Sequence, residues 1–229
     1  MINKIIKDLS KQSSCQFEPI EHNAEEFSFY QAKSNDYQRF LVVVKVPHLM
    51  KPNELNQWVL VNTPQVLREH PSFAKNTDVV VLFELDLLAN VVKHESQIFA
   101  LEEDSYSFKK HVLYYSQDEL DLLEGIGSVG IATFIKDQSK FNKYKKSPLD
   151  ASEYGIASRI FIKLPFLSVP VDESELDDPC ELADEYLKTT GLFELSDKFE
   201  ELMVNGKGNF QSIVEEYIRG KMANSQAED

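Results

Sequence analysis

The run Phe40-Leu41-Val42-Val43-Val44-Lys45-Val46 is apolar at every position but one. Such a run predicts a strand that is covered on both faces and is therefore central in a sheet. Asp78–Phe83 has a similar pattern, and Phe27–Ala32 partly alternates, as a half-buried strand does. The turn signal Asn35-Asp36 separates Phe27–Ala32 from the first run, so the two segments predict an antiparallel hairpin. Val112–Tyr115 predicts one further short strand.

Helical patterns occupy most of the remaining chain. The N-terminus carries apolar residues at helical spacing, and Leu85–Leu101 shows the same period. Ser116 and Glu119 have the spacing of a capping box, which predicts a helix start. Further helices are predicted at 131–144, 150–163, 179–189, 193–204 and 210–222. The predicted fold class is α+β, with a mixed N-terminal α/β half on a small sheet (residues 1–123) and an all-helical C-terminal half (residues 124–229).

The chain is strongly acidic, with a formal net charge of −14. This charge argues against broad, sequence-independent binding of nucleic acid by the isolated chain. The acid is concentrated between Asp172 and Glu201, which favours docking to a basic partner. One basic patch stands out against it. Lys136, Lys140 and Lys143 are spaced by four and three, so we predict that they share a helix face and form a possible DNA contact.

A search for reactive groups finds no catalytic constellation in the sequence. The five histidines and two cysteines lack the spacing of metal ligands. A lone G-x-G-x-x-G match at 125–130 follows an acidic helical run instead of a strand, which favours a helix end. We therefore expect no catalytic residue, no cofactor and no metal. We also expect a cytoplasmic protein, because no apolar window is long enough to span a membrane and no export signal is evident.

A metal-dependent nuclease-like enzyme is the enzymatic alternative. Glu84 and Asp86 follow the run Asp78–Phe83, and Lys45 lies in the first run. Nucleases of this kind need carboxylates and a lysine that converge from neighbouring strands. The competing interpretation is that the two carboxylates begin the next helix, where they suit its dipole.

An aromatic and basic island, EDSYSFKKHVLYYS at 103–116, lies within this acidic chain. Tyrosine and phenylalanine are enriched at binding surfaces, and lysine can pair with acidic neighbours. The segment therefore predicts an interface formed by five residues: Phe108, Lys109, Lys110, Tyr114 and Tyr115. The alternative is an edge strand that is anchored by its aromatics and protected from pairing by its lysines.

The run 101–115, LEEDSYSFKKHVLYY, resembles the signature of the middle component of ABC-three-component systems, which resemble or include Lamassu-type bacterial defence operons. In that family an acidic pair, an aromatic residue, two basic residues and an apolar-aromatic strand follow a buried strand and a helix. The resemblance covers about residues 27–123. It implies a non-catalytic accessory or scaffold subunit of a DNA-targeting anti-phage or anti-plasmid defence complex.

The same resemblance implies two partners, an SMC-like ATPase subunit and a nuclease effector subunit. The middle component would link them or restrain the effector, and DNA would be reached through the complex. An acidic inhibitor of a basic toxin or nuclease is a further alternative, supported by the charge of the C-terminal half.

Overall fold

The computed structural model describes residues 1–33, 38–170, 178–205 and 210–225. The predicted turn at Asn35-Asp36 lies outside these ranges. The chain divides into two compact units, Met1–Pro170 and Val171–Asp229. No helix of the described residues is both long and apolar enough to cross a membrane.

The first unit is built on a five-stranded sheet in the order β1-β2-β3-β4-β5. β1 pairs antiparallel with β2, and β2 with β3, whereas β3–β4 and β4–β5 are parallel. The predicted strands and the antiparallel pairing of the predicted hairpin are confirmed. β1 was not predicted, because it is a four-residue edge strand that contains Pro19. The strands are β1 Phe17–Ile20, β2 Phe27–Ala32, β3 Phe40–Val46, β4 Thr77–Leu85 and β5 Lys109–Ser116.

Short helices cover both faces of this sheet. A 3-10 helix, Leu88–His94, precedes α4, and Ser116 caps α5 through the predicted capping box with Glu119. The helix predicted at 131–144 is instead two helices. The Asp137 carboxylate accepts hydrogen bonds from the backbone amides of Ser139 and Lys140 and so caps the start of the second helix. The helices are α1 Ile2–Gln12, α2 Pro52–Asn62, α3 Gln65–Arg68, α4 Glu95–Glu102, α5 Gln117–Leu122, α6 Ser128–Lys136, α7 Gln138–Lys146 and α8 Glu153–Lys163.

The sheet has a core on each face. Leu82 and its neighbours on one face pack with α1, α6 and α8, and Val81 and its neighbours on the other face pack with α2 and α4. The domain boundary predicted after residue 123 falls inside the first unit, since Ile131 and Ile156 are buried in the same core as the strands. The fold class is confirmed: the sheet lies in the N-terminal half and the C-terminal half is mostly helical.

The second unit contains α9 Pro179–Thr189, α10 Phe193–Asn205 and α11 Phe210–Ser225. α10 contacts both of the other helices. The rings of Phe199 and Phe210 stack with centroids 4.5 Å apart, and the Tyr217 hydroxyl donates to the Gly191 carbonyl. None of the side chains described in this unit is buried.

Candidate functional site

The loop before β5 is held together by Lys110, whose side chain is fully buried. Its Nζ lies 2.7 Å from the Asp104 carboxylate and donates to the carbonyls of Tyr106 and Phe108, each at 2.8 Å. Asn56 of α2 donates to the same carboxylate at 3.3 Å. The hydrogen bond from Lys110 lowers the pKa of Asp104. Asp104 and Lys110 of the island therefore have a structural role.

This arrangement corrects most of the predicted interface. Phe108 packs edge-on against Phe73 in one core, and Tyr115 lies in the core on the opposite face of the sheet. With Lys110 also buried, three of the five residues have no surface to offer a partner in this fold. Lys109 is exposed and Tyr114 is partly exposed. Only these two remain candidates for an interface.

The outer edge of β5 is occupied by side chains. The Val112 amide donates to the Glu102 carboxylate at 2.8 Å, and the Tyr114 carbonyl accepts from Arg159 Nε at 3.2 Å. Arg159 also binds the buried Glu119 and lies over the Tyr114 ring. An added strand would have to displace both side chains. Protection of this edge therefore comes from Glu102 and Arg159, and not from the lysines of the island.

An open apolar groove runs along this edge, between α4 with its preceding 3-10 helix and α8. Its volume is about 440 Å³. Phe99 is 54% exposed and Ile162 is 67% exposed, although both are large apolar residues. Exposed apolar side chains gathered in one concave place mark binding sites more often than scattered ones do. We call this the β5 groove, lined by Val92, Phe99, Tyr114, Leu149 and Ile162.

Most charged side chains that line the β5 groove are already paired with other residues of the chain. Lys163 Nζ contacts both oxygens of Glu102, at 2.6 and 2.8 Å, so these two charges pair with each other. Arg159 is held by Glu119. The groove thus offers mainly apolar contact, with Glu95 as a further charge in its lining. Such a site suits a complementary apolar segment better than a charged small molecule.

Sequence reasoning missed most of the β5 groove. The helical period over Leu85–Leu101 predicts one continuous helix. Val92 instead lies in the 3-10 helix and Phe99 on the open side of α4, while the adjacent Ile98 is buried. No local signal separated them, because adjacent apolar positions such as 98 and 99 can both belong to the apolar stripe of an amphipathic helix.

The predicted DNA-contact lysines do not share one helix. Lys136 ends α6, whereas Lys140 and Lys143 lie on α7. Lys140 pairs with Glu153 at 2.9 Å and sits 5.1 Å from the Phe134 ring centre, so it is already engaged. Lys136 and Lys143 are exposed. A DNA contact by these two residues stays a prediction.

The residues of the nuclease alternative converge only in part. Lys45 Nζ lies 2.8 Å from the Glu84 carboxylate, and the Tyr115 hydroxyl lies 3.5 Å from it. Glu84 and Asp86 line one open cavity of about 330 Å³. The hydrogen bond to Glu84 raises the pKa of Lys45. Among the residues that the structure describes, no three histidine, cysteine or acidic side chains are placed to hold a metal ion.

Comparison with known families supports the resemblance. Residues 38–138 match the family model of the ABC-three component (ABC-3C) system Middle Component 1. The matched segment runs from just before β3 to the start of α7 and includes the island at 103–116. Searches of curated proteins and of solved structures gave no significant match. The predicted likeness to the middle component is confirmed over this segment, and it indicates a component of a defence system that has partner subunits.

Proposed function

We propose that this chain, whose residues 38–138 match the ABC-3C middle component, is a non-catalytic accessory subunit of a DNA-targeting defence complex. In this proposal it links an SMC-like ATPase to a nuclease effector and restrains the effector. The family match supports a multi-component assembly. The β5 groove supports the proposal further, because it is an apolar surface that the described residues of the first unit leave exposed.

A partner helix is the occupant that the β5 groove suits best. The groove lies between two helical walls, and an amphipathic helix can place apolar side chains at i, i+3 and i+4 along such a cleft. Burying apolar surface stabilises a complex by roughly 25 cal/mol per Å² before the costs of association. Addition of a strand is disfavoured because Glu102 and Arg159 occupy the β5 edge.

Co-expression with the other two components tests this proposal. Phe99→Ser combined with Ile162→Ser should weaken copurification at least tenfold, since both side chains are exposed in the β5 groove. Val61→Ser is the matched control, because Val61 is also largely exposed but lies on α2, outside the groove. If the double variant folds and still assembles as the wild type does, the groove is not the contact.

Charge reversal at Lys109 is a separate test of the island. Lys109 is exposed at the start of β5. Lys109→Glu should weaken assembly without affecting the fold if this residue contacts a partner. Unchanged assembly would remove Lys109 from the predicted interface and leave Tyr114 as the one remaining candidate of the island.

The nuclease-like enzyme is kept as a second candidate because of one observation. Lys45 and Glu84 are paired where the parallel strands β3 and β4 end, and Asp86 lines a cavity with Glu84. Purified chain should then cleave DNA when Mg²⁺ or Mn²⁺ is added, and Asp86→Ala should abolish the cleavage. Absence of cleavage by the wild-type chain under both metals would eliminate this candidate.

A further inference from the structure

The second unit exposes large apolar side chains on its helices. Tyr186 is 68% exposed, Phe210 is 65% exposed and Leu182 is 50% exposed. Leu182 and Tyr186 are four residues apart on α9, so they lie on one face, one turn from each other. A soluble helix normally turns such a pair toward a core. These side chains have no such core among the described residues.

The internal packing of this unit is correspondingly thin. Phe199 stacks on Phe210 between α10 and α11, and other apolar side chains, including Leu187 and Val214, are only partly covered. The unit spans residues 171–229, a size at which an isolated domain has little apolar surface to bury. Covering the exposed residues with a partner would stabilise both the contact and the unit itself.

The charge of the unit selects the kind of partner. Residues 178–205 and 210–225 contain ten aspartates and glutamates but only four lysines and arginines. This excess repels the phosphates of nucleic acid, anionic lipid surfaces and a second copy of the same unit. It is complementary to a basic protein surface. Glu181 and Glu185 directly precede Leu182 and Tyr186, so the two carboxylates lie beside the apolar pair on α9.

We propose that the α9–α11 unit is a docking module that inserts Leu182 and Tyr186 into an apolar cleft rimmed by lysine or arginine on another component of the complex. This inference rests on the proposed function for the existence of that component. Glu181 and Glu185 pair with the basic rim and accelerate association, while the two apolar side chains provide the buried contact that slows dissociation.

The experiment uses the full chain and each of the other two components, purified separately. Leu182→Ser with Tyr186→Ser should raise the Kd for one of them at least tenfold. Glu181→Gln with Glu185→Gln, which keeps shape and removes charge, should lower the association rate and flatten its dependence on salt. Val61→Ser with Val66→Ser is the control, because both side chains are exposed in the first unit, on α2 and α3, outside the β5 groove.

Each outcome has a defined meaning. If wild-type chain binds a component and both α9 variants bind it equally well, the docking module is refuted while the proposed function stands. If wild-type chain binds neither component, both proposals fail. Light scattering tests for a dimer, and binding assays test for association with duplex DNA or with anionic vesicles. If any of these complexes forms and is abolished by Leu182→Ser with Tyr186→Ser, the inference is overturned. Circular dichroism confirms that the variants keep their helices.

Discussion

Lys110→Met should strongly destabilise the first unit. Methionine fits the apolar stem of the lysine but removes the ammonium group, which contacts the Asp104 carboxylate and the carbonyls of Tyr106 and Phe108. Asp104 is itself mostly buried, so its charge would lose its partner with little access to water. The loop also contains Ser107 at a φ of 62°, a left-handed conformation that is strained for serine and needs surrounding contacts to persist.

The magnitude follows from the loss of a buried pair. Removing one partner of such a pair costs about 3–5 kcal/mol. A unit of this size loses roughly 2–4 °C of melting temperature per kcal/mol, so the midpoint should fall by about 6–20 °C. This is a large share of the roughly 5–15 kcal/mol that stabilises an ordinary domain.

Trp58 gives a clean assay, because it is the one tryptophan of the chain and lies in α2 of the first unit. Its fluorescence during urea unfolding reports on that unit separately from α9–α11. Lys109→Met is the matched control: it removes the same charge from the neighbouring, exposed position and should change stability by no more than about 0.5 kcal/mol. Equal stability of the two variants would refute the structural role of Lys110.

Two other perturbations test the first unit. Asp104→Asn should lower the free energy of unfolding at neutral pH but much less in acid, because Lys110 lowers the folded-state pKa of Asp104. The contribution of Asp104 to stability is present above the unfolded pKa of about 3.9 and is lost as the pH falls through the folded-state pKa. A wild-type–variant difference that stays constant between pH 6 and pH 3 would contradict this. Arg159→Met should cost about 3–5 kcal/mol by leaving the buried Glu119 unpaired. Arg219→Met, at an exposed position, is its control, and a loss below about 1 kcal/mol for Arg159→Met would refute the reasoning.

The family signature was recognisable from sequence, but the roles of its residues were not. Lys109 and Lys110 look equivalent in the chain, yet one is exposed and the other buried. Successive strand residues point to opposite faces, so the register of β5 decides which lysine turns inward. That register pairs Val79 with Lys110 and Asp78 with Lys109, and it depends on β4, a strand about thirty residues earlier.

The β5 groove shows the same limit for helices. Helical periodicity indicated that 85–101 carries a buried stripe, and Ile98 and Leu101 are indeed buried. It did not indicate that Phe99 of α4 and Ile162 of α8 both remain exposed and line one cavity. A groove of this kind arises from the packing of elements that are distant in the chain, so no local sequence pattern predicts it.

The sequence by itself determined the central strands and the capped start of α5. Continuous β-branched runs are stable only when both faces are covered, and Ser116 with Glu119 satisfies backbone groups within a few residues. Only the tertiary structure decided which members of the aromatic and basic island are accessible, that the β5 edge is occupied by Glu102 and Arg159, and that an apolar groove lies beside it. Accessibility depends on contacts between remote segments, whereas strand and cap formation depend on neighbours in the chain.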